Sequence, residues 1–202
     1  ENYQKFIKHN NLVSVEQFID FSSSYFEGNK SELGALGYSR DNQPGKKQIT
    51  WGISTGMNDI PTALTIQRGN VQDKKHFGFM LSTAGKILDK GSLLIFDCGG
   101  NTKKNKGKII EKGFNYLTLK AKQKKIYLNF ISLFEQRAKF GFIVNKRAYF
   151  CSKIKSGDEY QYVLFSPELE KDQLRKKVKK FQKALTKGDK ILAKINKGKP
   201  IG

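Results

Sequence analysis

Ser92-Leu93-Leu94-Ile95-Phe96-Asp97-Cys98-Gly99-Gly100-Asn101 is the stretch that decides the fold. Four apolar residues in a row, without a polar interruption, predict a short strand buried on both faces, as strands of mixed or parallel sheets are. The run ends in a carboxylate, followed by glycines that stop the strand. Upstream, Asp73 reads as a helix cap, and Phe77, Met80, Leu81, Ala84 and Leu88 recur at three- and four-residue spacing, which predicts one amphipathic helix. Further back, Val15 to Phe21, Gln48 to Thr55 and Thr62 to Gln67 are β-rich runs separated by Gly, Pro, Asn and Asp. They predict three antiparallel strands, with Gly56-Met57-Asn58-Asp59 as a hairpin turn.

Downstream, Thr102 to Lys112 predicts a short helix and Phe114 to Lys120 another strand. Ile126 to Phe165 reads as β-type runs broken at Asn145 and at Ser156-Gly157-Asp158. Ser166-Pro167-Glu168 then carries helix start signals, Ser as cap and Pro in the first position. A basic helix follows, with Leu169, Leu174, Val178, Phe181, Leu185, Ile191 and Leu192 along it and a break at Gly188. The fold class is α/β: a mixed sheet flanked by helices, a β-rich insertion after the fifth strand, and a long basic C-terminal helix. No internal repeat is present. The expected organisation is 1–13 as the remnant of an N-terminal region or a linker, 14–122 as the core, 123–165 as the insertion and 166–202 as the basic helical segment.

Composition narrows the function classes. In 202 residues, 38 Lys+Arg stand against 18 Asp+Glu, a formal charge of +20. An AT-rich genome would also write so many lysines on a solvated surface, yet the field they make attracts polyanions, and nucleic acid is the commonest. Apolar runs stay far below the ~20 residues that cross a bilayer, so a chain without membrane association is expected. Cys98 and Cys151 stand apart, with no partner at metal-ligand spacing, so neither a disulfide framework nor a zinc site is encoded. Cys98 reads as a small reduced core thiol.

Candidate chemistry rests on carboxylates, because acids converging from different strands give a divalent metal hard oxygen ligands. Asp20, inside Phe18-Ile19-Asp20-Phe21, and Asp97, at the end of the apolar strand, are the candidates; the ordinary alternative is a strand-end or turn carboxylate. His9 and His76 read as surface histidines. Ser22-Ser23-Ser24 lacks the glycines of a nucleophile elbow, and Gly100 to Lys108 lacks phosphate-loop spacing. Lys103, Lys104, Lys106, Lys108 and Lys112, then Lys120, Lys122, Lys124 and Lys125, follow Asp97 with Glu111 the only acid among them. They suit a phosphodiester backbone, or equally a solvated face. Arg175, Lys176, Lys177, Lys179, Lys180 and Lys183 make a second basic patch.

Two segments then carry a resemblance: Phe18-Ile19-Asp20-Phe21-Ser22-Ser23-Ser24-Tyr25-Phe26-Glu27-Gly28, and Gly37-Tyr38-Ser39-Arg40-Asp41-Asn42-Gln43-Pro44-Gly45-Lys46-Lys47-Gln48. With the phrase from Ile60 to Asp73, the ending Asp97-Cys98-Gly99-Gly100-Asn101 and Gly113-Phe114-Asn115-Tyr116-Leu117, the order resembles DDE transposases of bacterial and archaeal insertion sequences. The resemblance covers about Ser14 to Lys122 well and reaches Lys183 loosely. It implies an RNase H-like core with one acid on the first strand and a second just after the fourth, which are Asp20 and Asp97. It further implies Mg²⁺ or Mn²⁺ as cofactor, DNA (transposon ends and target) as partner, a possible homodimer, and a prokaryotic, cytoplasmic, nucleoid-associated location. The family's third acid, a Glu on a helix beyond the inserted region, has no matching motif; Glu135, Glu168 and Glu170 stand in that half without it. The expectation is therefore a fragment or a degenerate copy. The alternative is a basic nucleic-acid-binding protein that keeps the scaffold without catalysis.

Overall fold

The computed structural model describes residues 2–28, 30–38, 42–121, 131, 134 and 140–197. The chain divides into two compact units, 1–121 and 122–202, each built around its own sheet.

In the first unit, β1 (Glu16–Tyr25) pairs antiparallel with β2 (Gln48–Gly56), which pairs antiparallel with β3 (Pro61–Arg68). On its other side β1 pairs parallel with β4 (Leu93–Phe96), and β4 pairs parallel with β5 (Asn115–Thr118). The sheet is therefore mixed, in the order β3-β2-β1-β4-β5. The hairpin turn forms where the sequence places it: Gly56 N–H donates to Ile60 O and Asp59 N–H to Gly56 O. The residue in the left-handed region is Asp59, at φ 60°.

Helices α2 (Asp73–Ala84) and α3 (Lys103–Glu111) connect the strands. Phe77, Met80, Leu81 and Ala84 of α2 pack with Ile19, Phe21, Leu94, Phe96, Ile109 and Phe114 in one core. Burying a side chain of this size contributes about 1.5–3 kcal/mol, so this face of the sheet is what holds the unit together. Asp73 is the first residue of α2 rather than its cap; Gln72 occupies the cap position, and its side chain makes no capping bond. Leu88, assigned by periodicity to the same helix, lies beyond its end yet still joins the core. Thr102 does cap α3, its hydroxyl accepting from Asn105 N–H at 3.1 Å.

β4 is not buried on both faces. Leu94 and Phe96 are buried against the helices, while Leu93 and Ile95 are half-buried on the opposite face. On that face Phe18, Leu64 and Ile66 are exposed, because both connecting helices cover the other side. A further element escapes the sequence reading: α1 (Asn2–His9) docks through buried Ile7, with Tyr3 OH donating to Pro61 O and Gln4 Nε2 to Thr62 O. Its eight mostly polar residues carry too short a pattern to read.

In the second unit β6 (Phe140–Val144), β7 (Arg147–Ser156) and β8 (Glu159–Phe165) form an antiparallel sheet in chain order. Asn145 and Lys146, both at positive φ, turn β6 into β7, as a tight hairpin requires. Gly157 and Asp158 turn β7 into β8. Ile131 and Phe134 are helical, where the sequence predicts β-type runs. Helix α4 (Pro167–Asn196) closes the chain and runs unbroken through Gly188. A single glycine in a helix interior costs about 1 kcal/mol, too little to interrupt thirty residues of otherwise good helix formers.

Candidate active site

β1 is ten residues long and β4 only four. Their parallel pairing runs from Glu16 with Leu93 to Ile19 with Phe96 and then stops because β4 ends. Asp20 and Asp97 are the next residue on each chain. Asp20, in the middle of β1, and Asp97, directly after β4, are thus each one residue past the last parallel pair, at the C-terminal end of β4; open α/β sheets place their ligands at that end of their strands.

Both acids are exposed. Asp20 follows the strict alternation of β1, in which Gln17, Ile19, Phe21 and Ser23 face the core. Its apolar sequence neighbours do not bury it, and no desolvation cost has to be offset. One oxygen of each carboxylate is held by backbone: Asp20 Oδ1 accepts from Phe21 N–H at 2.8 Å and Asp97 Oδ1 from Gly99 N–H at 2.9 Å. Thr118 Oγ1 donates to Asp97 O at 2.9 Å, tying the end of β4 to β5.

A third carboxylate, Asp73, read from the sequence as a helix cap, lies near Asp97. A Cβ placed on Gly99 would stand 2.9 Å from Asp73 Oδ2 and 3.1 Å from Asp97 Oδ1, so these two acids flank one point. Asn105 arranges this. Its side-chain amide donates to Lys74 O and to Gly100 O, both at 3.0 Å, clamping the first turn of α2 to the loop after β4. The signal was present in the sequence as Asp73 closing the phrase that starts at Ile60, but its chemistry was not separable from capping. Among the described residues, no three His, Cys, Asp or Glu side chains form a group that could hold one metal ion. What is present is two exposed carboxylates, Asp20 and Asp97, and the half-buried Asp73 near Asp97; carboxylate oxygens are the donor type that Mg²⁺ and Mn²⁺ take together with water.

Of the basic candidates, Lys103, Lys104 and Lys108 are exposed on α3, and Lys106 is half-buried with its ammonium 5.8 Å from the centre of the Tyr116 ring. The loop 97–102 leads straight into this helix, so its lysines follow Asp97 closely in the chain. Lys122, Lys124 and Lys125 lie outside the described residues, as do Ser39, Arg40, Asp41 and Glu135.

Two sequence readings are corrected. Cys98 is exposed, not a core thiol, since it follows the strand's end; Cys151 is the buried one, and burial pushes its thiol pKa up. His76 is fully buried, not a surface residue. It sits between α2 and the sheet, against the Phe21 ring at 4.9 Å and within 2.8 Å of Thr65 Oγ1. Burial lowers its pKa, opposed by the nearby Asp73 carboxylate. His9 is exposed, as expected.

No protein-family model matches the chain, and no curated protein matches it. Among solved structures, it is similar to a piggyBac transposase synaptic complex with hairpin DNA, at 10% identity and a TM-score of 0.43. The match covers 76% of this chain and 33% of that one, so the chain spans about a third of that protein's length.

Proposed function

We propose that the chain is the catalytic-domain portion of a DNA transposase of the insertion-sequence type, on an RNase H-like core, working by metal-dependent phosphoryl transfer. The observation that carries this reading is the register of Asp20 and Asp97, one on the first strand and one directly after the fourth, on parallel neighbours. That is the placement the family resemblance implies for its first two acids.

In this reading Asp20 and Asp97 hold Mg²⁺ or Mn²⁺. Bound there, the metal supplies activation of water or a DNA 3′-hydroxyl and stabilisation of the leaving oxygen. The chain's own residues do the positioning. The Phe21 and Gly99 N–H groups fix one oxygen of each acid, and Asn105 fixes the loop. Lys103, Lys104, Lys106 and Lys108, with Lys122, Lys124 and Lys125 further on, attract the phosphodiester backbone; phosphate contacts of this kind supply affinity, not sequence choice.

Manganese titration and nicking of supercoiled plasmid test the reading together. Asp20→Asn and Asp97→Asn are expected to weaken metal binding at least tenfold and abolish nicking, with plasmid binding retained. Nicking that persists in either variant would remove these residues from the site. If the unmodified chain binds DNA but neither metal nor nicks, the protein is the non-catalytic nucleic-acid-binding module instead.

Pairing of two copies is part of the same proposal, and α4 offers the surface. Leu174, Val178, Phe181, Leu185, Leu192 and Ile195 follow four–three spacing with Gly188 in the one remaining position, and all six are at least half exposed. This is the seam of a two-stranded coiled coil.

A further inference from the structure

Side chains alternate across a strand, and residues paired in an antiparallel sheet share a face. In the second unit Lys153 pairs with Tyr162 and Lys155 with Tyr160, so these four form an alternating block on one face. Tyr160 and Tyr162 are 55% and 49% exposed, and Lys153 Nζ lies 3.9 Å from the Tyr160 ring centre and 6.0 Å from that of Tyr162. On the neighbouring strand pair, Phe142 lies opposite Tyr149 on the same face, their rings stacked at 5.6 Å and 13°. None of the strand positions that alternate onto this face, from β6 through β7 to β8, is an acid. Arg147, also on it, is paired with Asp172 at 3.6 Å.

Exposed aromatic rings on a sheet, with cations between them and no acid among the strand positions of that face, match one ligand chemistry closely. Unpaired nucleobases stack on the rings while their phosphates meet the ammonium groups. Duplex DNA cannot use such a surface, because its bases are already stacked on each other. We propose that this face of the β6-β7-β8 sheet binds a single strand of DNA, with Tyr160 and Tyr162 as the stacking residues and Lys153 and Lys155 as the phosphate contacts. The choice of DNA over RNA rests on the transposase reading; the stacking platform itself does not, since it uses none of the carboxylates.

Fluorescence anisotropy on the whole chain with labelled oligo-dT, oligo-rU and a duplex of equal length tests it. Tyr160→Ala with Tyr162→Ala is expected to weaken oligo-dT binding at least tenfold and to leave duplex binding within about twofold. Tyr160→Phe with Tyr162→Phe, which keeps both rings, is expected to bind oligo-dT like the unmodified chain. Lys153→Ala with Lys155→Ala should weaken oligo-dT binding and flatten its salt dependence. Equal losses for dT and duplex in the alanine pair, or no loss at all, would overturn the proposal. Tighter binding of oligo-rU through the same tyrosines would overturn the assignment to DNA. Should the alanine pair not fold, photocrosslinking of iodouracil-substituted single strands to the unmodified chain decides the matter. Crosslinks at Tyr160 or Tyr162 uphold it, and crosslinks confined to other peptides refute it.

Discussion

Gly99 is where the smallest change reaches the site. A methyl group there would come 2.9 Å from Asp73 Oδ2 and 3.1 Å from Asp97 Oδ1, closer than such atoms sit. The two carboxylate oxygens sit at the tips of flexible side chains, but the Asp73 Cβ, at 3.2 Å, is fixed to the first turn of α2 and must shift with it; Gly99 does not use a left-handed conformation. Gly99→Ala is therefore expected to cost about 1 kcal/mol of stability while separating Asp73 from Asp97. The check is a thermal melt beside a manganese titration: a modestly lowered melt with affinity reduced severalfold supports the shared position of the two acids. An unchanged titration would place Asp73 outside the site. His76 makes a second residue-scale prediction, about pH. It is buried, its Nδ1 has no partner among the described residues, and burial lowers its pKa below the ordinary 6.5. Below pH 6.5 the unfolded chain takes up a proton that the folded chain resists, so the folded state loses stability as pH falls; above 6.5 the contribution is constant. Denaturant unfolding at pH 7.5 and 5.5 should show a larger loss for the unmodified chain than for His76→Gln, which cannot titrate. Equal losses would mean that His76 titrates normally.

At the scale of elements, what the sequence made legible depended on how much of the pattern was local. β1, β2, β3 and β4 declared themselves by residue type and punctuation, and α3 by Thr102 and its lysine-rich first turns. Adjacency of Asp20 and Asp97 was implied only through a resemblance, since nothing local says that β4 returns to lie beside β1; the parallel register supplies it. Asp73 was missed for the same reason. Its place beside Asp97 depends on Asn105 reaching back to Lys74 O across 31 residues, a contact with no local trace. His76 misled because a lone histidine looks polar, whereas its helical phase, one residue before Phe77 and four before Met80, already put it on the buried side. Cys98 misled in the opposite sense: the apolar strand before it suggested a core position, but the strand had ended two residues earlier. Gly188 shows a local signal outweighed by a long helix on both sides.

For the molecule as a whole, the +20 charge opposes the pairing of two copies through α4, since like charges repel. Its distribution along the helix decides the issue. With Leu174, Phe181, Gly188 and Ile195 in one seam position and Val178, Leu185 and Leu192 in the other, Lys176, Lys179, Lys180, Lys183, Lys187 and Lys190 fall on the far side of the helix. Such lysines face water in a two-stranded coil and are screened beyond about 10 Å at 0.1 M salt. The positions flanking the seam hold Glu168, Glu170 and Asp189 against Arg175 and Lys177, and Lys171 takes a seam position itself, three acids against three bases, so the surface that would meet its copy is neutral where the rest of the helix is not. The expected outcome is a monomer–dimer equilibrium that tightens as salt is raised, the reverse of the salt dependence of DNA binding. Sedimentation equilibrium at 0.1 M and 0.5 M salt measures it, with Phe181→Ser and Leu185→Ser together expected to raise the dissociation constant at least tenfold while leaving helical content intact. A chain that stays monomeric at both salt concentrations, or a variant pair that dimerises as well as the unmodified chain, would show that α4 uses its apolar seam for something other than a second copy.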